Sequence, residues 1–391
     1  MMAKNLIFEI GTEEMPAASM QRFREDYLKT AADIFENNNL EYEKMNVYST
    51  PRRLVLAVDA LAEKQEDQRE IVRGPAVNIA FDDGKPTRAG EGFARGQGVE
   101  VDELVEKDGY LYAEKVEKGK KTAEILSEIL KKIVEQVPLP KAMRWGSVKM
   151  EFIRPIKWLL VLFGEEKIDL EIAGVKSSNY SLGHRFLSEG QVKINKAKNY
   201  FSSLEAASII VQQNARRKII KDQIAELNLS AQAVIKDSLL AEVIDLIVFP
   251  TAFKGSFSEE YLELPPEVLI TAMEKHQRYF PVKTEGDQLQ AEFIGVRDGS
   301  SDYLEEVIAG NEMVLAGRLD DAQFFFAEDQ KYGFLNRSED IKDIVFQKDI
   351  GSVYQKVEKL QRITARLAEL LDYDTARKEK AVKAAELCKR D

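Results

Sequence analysis

The sequence predicts a multidomain α+β protein, in which mixed or antiparallel sheets pack with helices and an all-helical region follows. Short apolar or alternating runs, typical of strands, are interspersed with amphipathic stretches over residues 1–335. From about residue 340 the pattern becomes almost entirely helical and rich in Lys, Glu, Arg and Ala. At about 150 residues per domain, a chain of 391 residues has room for two or three domains of ordinary size.

The first predicted domain, residues 1–62, is a small β-α-β-β unit. Residues 6–10 read as a strand, and Pro16 suits the first turn of a helix. Apolar side chains then recur at helical spacing at Phe23, Tyr27, Ala31 and Ile34. Residues 46–48 and 54–58 complete the unit as two further strands.

The second predicted domain, residues 63–140, starts with a polar linker over 63–70. A helix is expected near 87–95. A hairpin is expected over 104–113, where Asp108-Gly109 suits a turn that requires positive φ. An amphipathic helix follows over 122–134.

The third predicted domain, residues 141–335, is a larger α+β unit. Its expected strands are a buried one over 156–163, a half-exposed one over 167–173 and a hairpin formed by 280–283 and 293–297. Its expected helices lie near 196–210, 215–228, 238–248, 265–276 and 303–328, the last interrupted at Gly310.

The fourth predicted segment, residues 336–391, is the start of a helical domain. Two amphipathic helices are expected, over 354–371 and from 376 onward. Because the sequence reaches its last residue inside a helix with no Gly, Asn or Pro to cap it, we expect this domain to be cut short here.

Composition narrows the class of protein. The net charge of −11 disfavours a protein that coats nucleic acid non-specifically, although local basic patches stay compatible with it. Cys388 is the single cysteine, so no disulfide can form within the chain and a reducing compartment fits. The longest apolar run, 158–163, is far below the roughly 20 residues of a membrane span. We therefore expect a cytoplasmic protein with no membrane partner.

Motifs for small-molecule chemistry are incomplete. The Gly119-Lys120 pair resembles the end of a phosphate-binding loop, but Glu114 stands where that loop needs glycine. The glycines of 90–96 do not have the spacing of a dinucleotide fingerprint. With two histidines and one cysteine scattered along the chain, we expect no bound metal.

Clusters of arginine with aromatic residues or histidine are the remaining candidates for function. Arginine and aromatic side chains together can grip phosphate and stack on bases. An alternative stays open for the cluster within 141–158. Its charged residues could form the solvent-exposed edge of a strand, and its aromatic residues could belong to the hydrophobic core. For the two histidines, a neutral hydrogen-bonding role and a general-base role both stay open. The candidates are Arg52, Arg53, Arg73, Arg88, Arg95, Arg144, Trp145, Arg154, His184, Arg185, His276 and Arg278.

At these clusters the sequence resembles the β subunit of bacterial heterotetrameric glycyl-tRNA synthetase. Each matching stretch is short, but together they occur in the family's order over nearly the whole chain. They are 8–16 (FEIGTEEMP), 50–54 (TPRRL), 73–76 (RGPA), 86–95 (PTRAGEGFAR), 143–146 (MRWG), 152–155 (FIRP), 183–186 (GHRF), 276–281 (HQRYFP) and 351–358 (GSVYQKVE).

The resemblance implies an α2β2 enzyme that attaches glycine to tRNA(Gly), with ATP and Mg²⁺ bound at the α subunit and no cofactor bound by this chain. It also implies that residues 141–335 are similar to the editing module of phenylalanyl-tRNA synthetase β chains, and that an HD-like helical domain and a distal anticodon-binding domain follow. The His-Asp pair of an HD metal site is missing, because Arg185 follows His184 and Gln277 follows His276.

The residues agree with a supporting role. Neither signature run of one synthetase class is present, and Phe23-Arg24-Glu25, which resembles the ATP-gripping motif of the other class, lies in a predicted helix. We therefore expect no catalytic residue in this chain, and we expect the twelve candidates to contact tRNA or the α subunit. Two alternatives are a stand-alone tRNA-editing hydrolase and a non-catalytic scaffold.

Overall fold

A computed structural model describes residues 3–82, 84–331 and 340–390. The helices of these residues, labelled α1 to α11 in chain order, are Ala17–Asn37, Val77–Ala80, Arg88–Gln97, Thr122–Gln136, Tyr200–Glu205, Gln213–Glu226, Asp237–Leu246, Pro266–Thr271, Leu304–Lys331, Val353–Leu370 and Thr375–Leu387. The strands, labelled β1 to β20, are Ala3–Thr12, Lys44–Thr50, Arg53–Ala62, Gln68–Ala76, Phe81–Asp82, Lys85–Pro86, Val105–Lys107, Tyr110–Glu117, Ile156–Phe163, Glu166–Lys167, Glu171–Ile172, Val175–Ser178, Tyr180–Leu182, Gln191–Lys193, Gln232–Ala233, Pro250–Ser256, Phe280–Lys283, Leu289–Asp298, Val345–Gln347 and Gly351–Ser352. The predicted α+β class is confirmed.

The chain forms two compact units, each built from separate stretches of sequence. The first unit comprises Met1–Leu227, Ile235–Phe253 and Gly295–Asp302, and the second comprises Asn228–Val234, Lys254–Ile294 and Tyr303–Asp391. Two strands, β16 and β18, have residues in both units. The division into four domains made from the sequence stays a prediction.

The main sheet of the first unit has β1 at its centre. Its strand order is β11-β12-β9-β1-β3-β2, β1 runs antiparallel to both β3 and β9, and β10 pairs with the far end of β9. Alternation along β1 sends Leu6, Phe8 and Ile10 into a core formed with α1 and α4. Ile7 points to the opposite face, into a second core that includes Tyr200 of α5. Glu9, two residues from Ile7, lies on that second face.

Helix α1 confirms the predicted amphipathic stripe. Phe23, Tyr27 and Ala31 are fully buried against the first core, and the helix ends at Asn37. The apolar side chains recur every three or four residues, so a single face of the helix is removed from water.

A smaller sheet of the first unit has the strand order β4-β8-β7. Asp108 and Gly109 both have positive φ at the turn between β7 and β8, so the predicted hairpin is confirmed. Helix α3 is capped by the side chain of Thr87 and contacts this sheet. A Cβ at Gly74 would lie 2.4 Å from the Phe93 ring, so glycine is needed for this contact.

In the second unit β15, β17 and β18 pair antiparallel, and a π-helical turn, Ala272–Gln277, continues directly from α8. The predicted interruption at Gly310 is wrong, because α9 runs unbroken from Leu304 to Lys331. A glycine costs a helix interior only about 1 kcal/mol. Buried Leu315 and Leu319 anchor the helix over more than one turn beyond it.

Other differences from the sequence prediction are local. The helix expected over 196–210 ends at Glu205, and Ser208 adopts positive φ soon afterwards. The strand expected over 167–173 is split into β10 and β11, although Ile168, Leu170 and Ile172 are all buried as the alternation indicated. The linker expected over 63–70 is shorter, since β4 begins at Gln68. A short hairpin, β19 and β20, precedes α10 in the region expected to be all helix.

No helix of the described ranges has both the length and the apolar character that crossing a membrane requires.

Candidate anion-binding cleft

A cleft of about 250 Å³ lies in the first unit, where several sequence-distant loops meet. Its walls come from the loop after β1, the turn between β2 and β3, the loop after β13 and the end of β18. Four of the twelve predicted site residues line it, namely Arg52, Arg53, His184 and Arg185. The other lining residues are Glu14, Met15, Pro51, Gly183, Phe186, Ile209, Leu246, Val248 and Asp298.

Glu9 fixes one wall of the cleft from inside the protein. Its carboxylate is fully buried and lies 3.5 Å from Nε of Arg53, whose side chain is 4% exposed. The same carboxylate accepts hydrogen bonds from Trp158 Nε1, from Ser181 Oγ at 2.6 Å and from the Tyr200 hydroxyl at 2.5 Å. Burial raises the pKa of the Tyr200 phenol, and the nearby Glu9 charge raises it further. Tyr200 therefore stays a hydrogen-bond donor to Glu9.

The indole of Trp158 lies beneath both arginines of the β2–β3 turn. The guanidinium carbons of Arg52 and Arg53 lie 5.5 and 5.3 Å from the centre of its ring. The ring packs directly on Gly11 of β1, where a Cβ would lie 1.9 Å from the indole. Glycine at position 11 thus makes room for the ring, and the ring's π face stabilises the two cations.

Arg52 is the cation of the cleft that makes no close ion pair within the described residues. Its Nε atom is buried with no hydrogen-bond acceptor there, and no carboxylate there lies within ion-pair distance of it. Burial lowers the pKa of the Arg52 guanidinium and the nearby Arg185 cation lowers it further, while the more distant charges of Glu13 and Glu14 offset part of this effect. A partly desolvated cation without a partner is costly unless an anion is bound.

The neighbouring charges are already paired. Arg185 donates to Glu14 at 3.1 Å, and Lys157 lies 3.1 Å from Glu13. The hydrogen bond from Lys157 lowers the pKa of the Glu13 carboxyl, so Glu13 is ionised at neutral pH. These carboxylates make their close ion pairs with Lys157 and Arg185 and act on Arg52 only at longer range.

His184 is buried, and both of its ring nitrogens face protein groups. Nδ1 accepts hydrogen bonds from the backbone N–H groups of Phe186 and Leu187, each at 3.2 Å. Nε2 therefore carries the ring proton and faces Asp298 Oδ1 at 3.7 Å. Asp298 itself accepts from the N–H groups of Val248 and Phe249, each at 2.8 Å. This geometry favours the hydrogen-bonding role for His184 over a general-base role.

The predicted residues within 141–158 do not line the cleft. Arg144 is exposed and pairs with Glu151 at 2.9 Å, and Arg154 donates to the carbonyl of Ile153 at 2.7 Å. Trp145 is half-buried against the first core. For Trp145, the structure favours the alternative of a core aromatic at a solvated rim.

Arg73, Arg88 and Arg95 belong to the smaller sheet and its helix. Arg73 is exposed, with its guanidinium 3.7 Å from the centre of the Tyr110 ring. Arg88 begins α3 and Arg95 lies in its last turn, and both are exposed.

His276 and Arg278 lie in the second unit. His276 is exposed at the end of the π-helical turn, where it lines a groove with Arg318 and Asp321. Arg278 has positive φ and donates to the carbonyl of Lys275 at 2.6 Å. The roles given to the twelve residues from the sequence stay predictions.

Sequence reasoning missed the buried polar residues that hold the first unit together. Arg216 is fully buried and donates to the carbonyls of Ser49, Ile210, Val211 and Ile244. Burial lowers its pKa to about 10.

Arg24, part of the run that resembles an ATP-gripping motif, instead donates to the buried carboxylate of Asp245 at 2.7 Å and to Ser49 at 2.6 Å. A buried charged residue of this kind can be recognised in the sequence by one signal, a charge within a mostly apolar stretch. Glu9 within 6–10 has that signal, and Asp245 within 239–248 has it too.

Among residues 3–82, 84–331 and 340–390 no group of three or more His, Cys, Asp or Glu side chains could hold a metal ion.

Comparison with known proteins gives the class and then the family. Residues 6–391 match the family model of the glycyl-tRNA synthetase beta subunit. The chain is 49% identical over 392 residues to the glycine–tRNA ligase beta subunit of Halothermothrix orenii. It is 43% identical over 397 residues to that of Moorella thermoacetica and 38% identical over 397 residues to that of Clostridioides difficile. Relatives of this kind are subunits of aminoacyl-tRNA synthetases.

The chain belongs to the glycyl-tRNA synthetase β-subunit family, as the resemblance indicated. Each of these three alignments covers 100% of this chain and 57% of the relative. The chain thus spans little more than half the length of the curated relatives it matches.

Proposed function

We propose that this chain is the tRNA-contacting and α-subunit-binding part of a glycine–tRNA ligase β subunit, which acts in an α2β2 enzyme. In this proposal the α subunit binds ATP and Mg²⁺ and forms the ester bond to glycine. The chain supplies contacts to tRNA(Gly) and no catalytic residue. Membership of the family supports the β-subunit part of the proposal.

The observation that carries the tRNA contact is that Arg52 makes no close ion pair within the described residues. An arginine that is partly desolvated, rests on an indole and makes no close ion pair among the described residues suits a phosphate oxygen. Arg53 and Arg185 lie in the same cleft, each paired with its own carboxylate. The carboxylates of Glu13 and Glu14 reduce the positive electrostatic potential around the cleft. A contact to a single phosphate therefore fits better than a broad basic surface for nucleic acid.

The test is the salt dependence of tRNA binding. The chain is combined with its α subunit, and the affinity for tRNA(Gly) is measured for the native complex and for Arg52→Ala between about 50 and 200 mM salt. Each neutralised phosphate contributes a slope of about 0.7 to 0.9 in log affinity against log salt. We expect Arg52→Ala to reduce the slope by about that amount.

Arg22→Ala is the matched control. It also removes one positive charge from the first unit. The Arg22 side chain lies on α1, is 84% exposed, and its Nε is 3.7 Å from Oδ2 of Asp26. If Arg52→Ala and Arg22→Ala change the slope equally, the cleft does not bind phosphate. Formation of glycyl-tRNA by the chain without the α subunit would contradict the assignment of catalysis to that subunit.

A further inference from the structure

One face of α9 exposes an apolar surface. Met313, Val314, Phe324 and Phe325 have exposed fractions of 74%, 49%, 60% and 64%. At 100° per residue they fall on the half of the helix opposite buried Leu315 and Leu319. Gly310 and Gly317 lie on that same half. We call these six residues the outer face of α9, and from Met313 to Phe325 it extends about 18 Å along the helix axis.

The opposite face of α9 is fixed by contacts within the second unit. The Tyr279 hydroxyl donates to Asn311 on this face at 2.5 Å. On the outer half, beside Met313, the Tyr261 hydroxyl donates to Asp320 at 2.5 Å. Glu312 accepts from the backbone N–H of Ser256 at 2.7 Å. With Leu315 and Leu319 buried as well, the helix cannot rotate to hide its outer face without breaking these contacts.

The two glycines of the outer face have no explanation within the described residues. A glycine inside a helix destabilises it by about 0.5 to 1 kcal/mol relative to alanine. A Cβ at Gly310 or Gly317 would meet no atom within 4 Å, and neither residue has positive φ. Large exposed side chains next to glycines are what a helix presents when a second backbone packs closely against it, since the glycines leave room for the approach.

The charge of α9 selects the kind of partner. The helix has seven carboxylates, at Glu305, Glu306, Glu312, Asp320, Asp321, Glu328 and Asp329, against two cations, at Arg318 and Lys331. A second copy of the chain would bring two acidic helices together, and RNA would be repelled by the same charges. A different polypeptide, apolar at its centre and edged with lysine or arginine, is complementary to this surface.

We propose that the outer face of α9 is a docking surface for a partner subunit with an apolar segment flanked by basic residues. This inference rests on the proposed function, in which the partner is the α subunit of the synthetase. It places one contact between the two subunits on α9, independently of the anion-binding cleft.

The test measures the affinity of the chain for the purified α subunit with Gly317→Leu and with Phe324→Asp. Gly317→Leu adds a good helix former into open space, so the chain should fold as before while the approach of a partner is blocked. We expect each variant to weaken binding at least tenfold. Gly286→Leu is the matched control, because Gly286 lies in the turn between β17 and β18 outside the twelve candidate residues and a Cβ there would meet nothing closer than 3.7 Å, and it should leave binding unchanged.

Circular dichroism and thermal unfolding of each variant report folding separately, and Gly317→Leu should unfold at the same or a higher temperature. Equal binding of the native chain, Gly317→Leu and Phe324→Asp overturns the docking surface while leaving the α-subunit partnership intact. Failure of the native chain to bind the α subunit rejects the partnership itself, and with it this occupant. Self-association of the native chain that Gly317→Leu abolishes would assign the surface to a second copy instead.

Discussion

Replacing Glu9 by glutamine should destabilise the first unit by about 3 to 5 kcal/mol, because it leaves Arg53 as a buried charge without a counter-charge. The two side chains are 0% and 4% exposed and are 3.5 Å apart. Glutamine keeps the shape, and its oxygen can still accept from Trp158 and Ser181 while its amide donates to the Tyr200 oxygen. The change therefore removes mainly the negative charge.

The double variant Glu9→Gln with Arg53→Met separates charge from packing. Once the cation is also removed, no uncompensated charge is left in the interior, so the double variant should lose less stability than the two single variants together. We expect a coupling free energy of at least about 2 kcal/mol, in the range found for residues of one buried network.

Urea denaturation followed by tryptophan fluorescence measures these differences. Trp145 and Trp158 are the two tryptophans of the chain, and both lie in the first unit, so the signal reports that unit. A loss below about 1 kcal/mol for Glu9→Gln, or strictly additive losses in the double variant, would show that Glu9 and Arg53 do not act as an ion pair.

Two further predictions concern packing and pH. Gly11→Ala should cost about 1 to 3 kcal/mol and change the emission of Trp158, because the new methyl group would lie 1.9 Å from the indole; an unchanged spectrum would mean that the ring does not rest on Gly11. Tyr279→Phe should cost about 1 kcal/mol at neutral pH through the lost bond to Asn311, as measured by denaturation followed by circular dichroism. Burial raises the pKa of Tyr279 to about 12, so the native state keeps a proton that the unfolded chain loses near pH 10. The stability that Tyr279 contributes should therefore decline as pH rises from 10 to 12, and a stability gap between native and Tyr279→Phe chains that stays constant from pH 9 to 11 would contradict this.

Local patterns were enough to predict most elements of the fold. Short apolar runs identified β1 and β9, the helical spacing from Phe23 to Ile34 identified α1, and Asp108-Gly109 identified the turn between β7 and β8. Each signal lies within a dozen residues and follows directly from backbone geometry. Gly310 was misjudged because the anchoring of α9 comes from Tyr261 and Tyr279, which are distant in sequence.

The cleft could be predicted only in part. The arginines of the β2–β3 turn and the Gly183–Phe186 stretch drew attention as polar clusters, yet nothing local indicates that they meet. The ion pair of Arg53 and the pairing of Glu9 with Ser181 and Tyr200 connect residues up to 191 positions apart. Such contacts depend on the strand order of the main sheet, which periodicity does not determine.

The order in which residues leave the ribosome has a consequence for the cleft. The chain passes five times between its two units, and the first unit acquires its last stretch, Gly295–Asp302, only after most of the strands of the second have been made. Asp298, which holds the backbone of Val248 and Phe249 and faces His184, arrives with that stretch. A nascent chain that has just completed β9 therefore has strands β1, β2, β3 and β9 of the main sheet but an open cleft, so maturation of the cleft must wait for more than a hundred further residues to be synthesised.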